Sequence, residues 1–315
     1  MLAIVTAFRS RCLARDWDYH GWLLQRTLDS ILAQTNDEFV VVVVCHETPA
    51  IPHAHHPKIR FLPVEFPPPD RDNDAMCADK VFKLSVGAAW AVSAGCDYTM
   101  FTDADDLLSR RVSEFVARRR GANGWYTPSE FYYAYGSRWL RSNQRPASGS
   151  GPGVIVRSDL LEFASSPYSG VWLETILQGG ERRFAELLAR RSQRINTLAA
   201  VGLANFQKLM LAEGRPLEPL PFPGNVVINH SDSTSHVPGG VGTAVPEQSP
   251  VRNALRARLS RIKRAGSRLP SVRPLTPALC SEFAIPAPRL VPRAYRRRGS
   301  IFSRDIFVDS WLAVD

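Results

Sequence analysis

The sequence predicts an α/β fold, with a mostly parallel central sheet flanked by helices and a basic C-terminal extension, and three observations predict it. Apolar runs of strand type alternate with stretches of helical spacing through the first hundred residues. One run, Phe39 to Val44, sets five consecutive valines behind a phenylalanine, which suits a strand covered on both faces in a parallel sheet. Charge is also segregated: residues 251–300 hold 13 Lys and Arg against Glu282 alone, a local +12, while the whole chain of 315 residues carries +9. The last fifteen residues carry −2, from Arg304 against Asp305, Asp309 and Asp315, so residues 1–250 total about −1 (9 − 12 + 2). A near-neutral body over 1–240 and a Pro- and Arg-rich extension over 241–315 follow from this division.

Leu2 to Phe8 reads as the first strand and a polar loop, Arg9 to Asp18, follows it. Trp22, Leu23, Arg26, Thr27, Ser30 and Ile31 then fall at three- and four-residue steps, and Gln34 to Asp37 ends that helix. Strand, helix and the valine strand make a βαβ unit. Pro49 to Pro69 is proline-rich, with Ile59 to Val64 as a short third strand, and its His53, His55 and His56 have no carboxylate or cysteine at ligand spacing. Asp79 to Ala94 is the next helix. Its Lys80 and Lys83 stand one turn apart, so both ammonium groups can point the same way, toward a diphosphate or simply into solvent.

Tyr98 to Leu108 is the stretch with the densest chemistry. An apolar strand ends in Asp103, Asp105 and Asp106, three carboxylates within four residues. Such crowding is repulsive unless a cation or several donors sit among them, and a divalent ion carrying a diphosphate answers that need. Asp105 or Asp106 capping a helix is the alternative. Further on, Ser109 to Arg120 reads as a helix, Trp125 to Tyr135 is aromatic-rich, Val154 to Val156 is a strand, and Glu181 to Arg191 and Val201 to Ala212 are helices. Val226 to His230 is the last strand of the body.

Leu28-Asp29-Ser30-Ile31-Leu32-Ala33-Gln34-Thr35 followed by Phe39 to Val43, the Thr102 to Asp106 stretch about seventy residues later, and Gly151 to Leu161 together resemble the GT-A fold glycosyltransferases of the family 2 type. Those are nucleotide-sugar-dependent enzymes that build bacterial polysaccharides. The resemblance covers residues 2–236. It implies that Asp103 and Asp105 hold Mn2+ or Mg2+, completed by His230 or His236, with Asp106 in support at the catalytic centre. Donor contacts would come from Thr6, Phe8, Lys80, Lys83, Asp103 and Ala104. After the second strand the chain reads Cys45-His46-Glu47-Thr48 where the family has two aspartates, so Glu47 or Asp79 would recognise the base. Glu174 would be the catalytic base and Trp172 the acceptor platform, although the family's glutamate-aspartate pair is absent there. A UDP- or GDP-sugar donor, a glycan or lipid-linked acceptor and an inverting course are implied as well.

Val251, Leu255, Leu259 and Ile262 recur at helical steps among six Arg and Lys, a basic amphipathic helix suited to an anionic membrane surface. Pro270 to Pro292 is expected to run extended across the body. No apolar run reaches the ~20 residues that a spanning helix needs, and the five cysteines are scattered without a CxxC pair, as reduced thiols are. These features place the chain in the cytoplasm, with its tail able to meet the inner membrane face. A nucleic-acid-binding protein using the tail, or a catalytically silent relative, are the competing readings. A haloacid-dehalogenase-like phosphatase fits worse, because its DxD follows the first strand.

Overall fold

The computed structural model describes residues 1–71, 73–144, 153–161, 207, 210–211, 214–230 and 272–296. A seven-stranded sheet forms its centre. β1 (Leu2–Ala7), β2 (Phe39–Cys45), β3 (Ile59–Pro63) and β4 (Tyr98–Asp103) are mutually parallel. α1 (Trp17–Leu32) and α2 (Asn73–Ser93) make the crossovers. Past the two-residue β5 (Leu107–Leu108) and α3 (Val112–Arg118) come β6 (Gly124–Tyr126), β7 (Ser129–Tyr133), β8 (Trp139–Gln144), β9 (Val154–Arg157), β10 (Glu218–Pro219) and β11 (Asn225–Ile228). The sheet order is β10-β6-β9-β4-β1-β2-β3, in which β9 alone runs against its neighbours. The mixed α/β class with a mostly parallel sheet is therefore as expected.

Strand periodicity explains the two cores. Ala3, Val5, Val42 and Val44 face α2, packing on Phe82, Leu84, Val86 and Ala88. Leu2, Ile4, Val41 and Val43 face the other way, onto Leu24, Leu28 and Ile31 of α1 and Val112 and Val116 of α3. The valine run is thus covered on both sides because its alternate residues serve different layers. Gly87 sets the approach of α2: a Cβ there would lie 2.3 Å from Val5 Cγ1, so only glycine lets the helix sit this close.

A second sheet adds β12 (Val272–Pro274) and is ordered β12-β8-β7-β11-β5. Its outer strand, β12, pairs antiparallel with β8 and leads into α4 (Pro277–Phe283), capped by Thr276. Residues 272–296, inside the expected extension, build directly onto the body. Phe283, Ile285 and Val291 are buried with Tyr19, Leu23, Phe131, Tyr133 and Val226, and Glu282 accepts from Ser109 Oγ and from Arg111 Nε at 2.7 Å. The expected helices over 181–191 and 251–265 lie outside the described residues, as does nearly all of 201–212.

Candidate active site at the carboxyl edge of the central sheet

In the sheet order, β2 and β3 lie on one side of β1 and β4 on the other, so the winding reverses between β1 and β4. Such a reversal opens a crevice at the strand carboxyl ends, the usual ligand position in open α/β sheets. Ala7 and Asp103 are paired across this point.

The turn after β4 is held by α1. Thr27 Oγ1 donates to the Ala104 carbonyl at 3.0 Å, Ser30 Oγ accepts from Leu108 N at 3.0 Å, and Gln34 bridges Ser109 O and Ser113 N, each at 2.8 Å. Thr27, Ser30 and Gln34 therefore serve as the clamp that fixes the acidic turn. The resemblance marked that helix as a motif without saying what its polar residues do.

Each carboxylate of the turn has a different neighbour. Asp103 forms an ion pair with Lys80, and both reach solvent, with side chains 26% and 39% exposed. Asp105 accepts from His230 Nε2 at 2.7 Å. Burial opposes its charge, but the hydrogen bond and charge of His230, with Lys80 and His20 beyond, hold the carboxyl down at about 2. Asp106 turns inward and accepts from Ile228 N at 3.2 Å, tying β11 to the turn. Burial, then the charges of Asp103, Asp105 and Glu130, push its carboxyl well above the usual range. Its other oxygen has no hydrogen-bond partner among the described residues. Asp106 is thus an internal brace, where the resemblance implied a residue at the catalytic centre.

His230 is delivered by the parallel pairing of β11 with β7, in which Ile228 lies opposite Tyr133 and Asn229 N donates to the Tyr133 carbonyl at 2.8 Å. Tyr19 and His20 of α1 flank its ring at centroid distances of 5.8 and 6.0 Å, and Tyr295 of the C-terminal segment packs against Tyr19 at 4.9 Å. Nothing in the sequence singles out His20, Glu130 or Tyr295, since their relevance depends on long-range packing alone.

Lys80 and Lys83 do not act as a pair. Lys83 is fully buried, its ammonium engaged by Asp79 at 2.8 Å and by the Phe8 carbonyl at 3.0 Å. This corrects the expectation that Lys83 faces the donor: its stem lies on the sheet-facing stripe of α2, and it links that helix to the end of β1. Thr6 and Phe8 are likewise buried, and Glu47 accepts from Arg11 N at 3.1 Å on the rim. His46 stands beside Asp79 at 3.9 Å and donates from Nε2 to the Phe66 carbonyl at 2.9 Å. Glu174, Trp172 and His236 lie outside the described residues. His53, in the short turn Pro52–His55, pairs with Asp29 at 2.9 Å.

A divalent ion requires several oxygen or nitrogen ligands converging on one point. Among the described residues no three His, Cys, Asp or Glu side chains converge in that way. Asp103 meets an ammonium, Asp105 an imidazole and Asp106 a backbone N–H, so these side chains do not fit Mn2+ or Mg2+ as they are arranged.

No family model matches the chain, and no curated protein matches it. Among solved structures it is similar to the galactosyltransferase LgtC in complex with donor and acceptor sugar analogs, at 12% identity over 85% of this chain and 98% of that one, with a TM-score of 0.32. A mannose-1-phosphate geranyltransferase from Thermus thermophilus aligns at 16% identity over 72% and 73% of the two chains, with a TM-score of 0.25. The 4-diphosphocytidyl-2C-methyl-D-erythritol synthase from Anaerococcus prevotii aligns at 9% identity over 83% and 96%, with a TM-score of 0.29. Likeness at this level identifies neither a family nor an activity.

Proposed function

We propose that the chain is a glycosyltransferase that takes a sugar from a nucleoside-diphosphate donor and passes it to a glycan or lipid-linked acceptor. The observation that carries this reading is the meeting, at the sheet's switch point, of the Asp103–Lys80 and Asp105–His230 pairs on a turn clamped by α1. Sugar transfer from such a donor needs little covalent help from the protein. It needs the departing diphosphate held by positive charge as negative charge gathers on it, and the sugar's hydroxyls fixed by acceptors. Lys80 provides the positive charge. Asp105, ionised and 29% exposed beside a buried His230, has lone pairs for sugar hydroxyls on its outward side.

In the inverting course that the resemblance implies, a carboxylate deprotonates the acceptor hydroxyl on the face opposite the leaving group, and Glu174 keeps that part with Trp172 as the acceptor's platform. A lipid-carried acceptor would suit the basic stretch within 251–271.

The test is nucleoside diphosphate release from a panel of UDP- and GDP-sugars, with and without acceptor extracts. Asp105→Asn is expected to keep the melting temperature of the parent and to lower turnover by about a hundredfold. Failure of every donor, or full turnover by the variant, overturns the reading.

A further inference from the structure

The unusual element of the site is that each carboxylate of the turn already has a partner within the protein. Asp105 lies within electrostatic reach of His230, Lys80 and His20, Asp106 of Asp103, Asp105 and Glu130, and Lys80 of all three aspartates of the turn. Asp103 is matched by the Lys80 ammonium, Asp105 by the His230 imidazole, and Asp106 is buried beneath them. A diphosphate brought against this turn would be repelled by ionised carboxylates unless a cation stood between. The cation already in that place is an ammonium.

Lys80 suits the task by position. It projects from α2 to the crevice between the ends of β1 and β4, where Asp103 takes one side of its charge. An ammonium offers three N–H donors, and one carboxylate leaves donors for phosphate oxygens. Both side chains reach solvent, and a partly exposed ion pair is held less firmly than a buried one, so an arriving diphosphate can compete with Asp103 for the same charge. Lys83, one turn further on, is excluded from this role because it is sealed between Asp79 and the Phe8 carbonyl.

We propose that Lys80 holds the donor's diphosphate in the position where a divalent ion was expected, so that nucleoside diphosphates bind this protein without a metal. This rests on the function proposed above and deepens it. Asp103 is then the ammonium's resting partner, displaced when phosphate arrives.

The experiment titrates the full chain by calorimetry with UDP, GDP and inorganic pyrophosphate, in EDTA and then in Mn2+. At least one nucleotide is expected to bind in EDTA, with Mn2+ changing its Kd by less than about threefold. Lys80→Met should weaken nucleotide and pyrophosphate binding in EDTA by about tenfold or more, while Lys80→Arg retains most of it. Asp103→Asn carries the sharper sign: freeing the ammonium should tighten pyrophosphate binding in EDTA, and pyrophosphate has neither ribose nor base for Asp103 to touch. Unchanged thermal melting of the variants shows that they fold, and Asp103→Asn decides the matter should Lys80→Met be unstable. Nucleotide binding that appears only with Mn2+, or weaker pyrophosphate binding by Asp103→Asn, overturns the role of Lys80 and leaves the transferase reading standing. Absence of nucleotide binding with and without Mn2+ overturns both.

Discussion

Lys80 and Lys83 illustrate how one helical turn separates a surface group from an internal one. Lys83 shares a buried edge of α2 with Asp79, one turn earlier, and the pair sits against the end of β1. The same pocket holds His46, whose side chain is buried beside Phe66. Burial, and after it the charge of Lys83, outweigh Asp79 and keep this imidazole below its ordinary value of 6.5. The unfolded chain takes up a proton at His46 below that pH while the folded chain does not, so the folded state loses stability as pH falls through 6.5 toward the depressed folded value. Thermal melts of the parent and of His46→Gln, which retains a donor for the Phe66 carbonyl but does not titrate, check this. The parent's melting temperature should fall more steeply than the variant's just below pH 6.5. Parallel curves would show that His46 is free to charge in place.

Among the elements, the sequence is readable wherever a segment's partner is local or its burial complete. β1, β2 and β4 are apolar runs buried on both faces, and their expected bounds match the structure nearly to the residue. α1 and α2 begin earlier than their apolar stripes suggest, because a first turn can be held by polar contacts, as where Asp16 accepts from Tyr19 N at the start of α1. The acidic turn is legible as a charge conflict. What resolves that conflict is not, since His230 lies 125 residues from Asp105 and arrives only through the β7–β11 pairing. The C-terminal segment is hidden for another reason. Its prolines mask both periodicities, and its most deeply buried aromatic is Phe283, 1% exposed and edge-on to Phe131 at 5.9 Å. Phe283→Ala should therefore cost about 3–5 kcal/mol, as truncation of a buried aromatic does. Urea unfolding reads this directly; a loss below ~1 kcal/mol would mean that the segment contributes little to the body's stability.

For the molecule as a whole, the placement of charge is the feature with consequences. β11, which ends just before His230, and β12, which begins at Val272, belong to the same sheet, and residues 231–271 connect them in sequence. Seven Arg and Lys lie between 251 and 271, with no acidic residue among them, whereas the body is near neutral. The basic stretch is thus tethered at both ends to the sheet that carries one wall of the site. Among the described residues no helix is long and apolar enough to cross a membrane. With seven Arg and Lys in its 21 residues, the 251–271 stretch would meet a bilayer through its charge. Each Lys or Arg near an anionic surface contributes ~1 kcal/mol, and the attraction decays over ~8 Å at physiological ionic strength. The full chain should therefore sediment with phosphatidylserine-rich vesicles at low salt, leave them in molar salt, and ignore vesicles of phosphatidylcholine alone. Replacing Arg256, Arg258, Arg261 and Arg264 by Gln should abolish that sedimentation while leaving nucleoside diphosphate release from a soluble donor unchanged, because the proposed donor cation is Lys80 and not an arginine of this stretch. Binding that persists in molar salt, or that survives the four substitutions, would point instead to an apolar contact, and the tail's charge would then need another explanation.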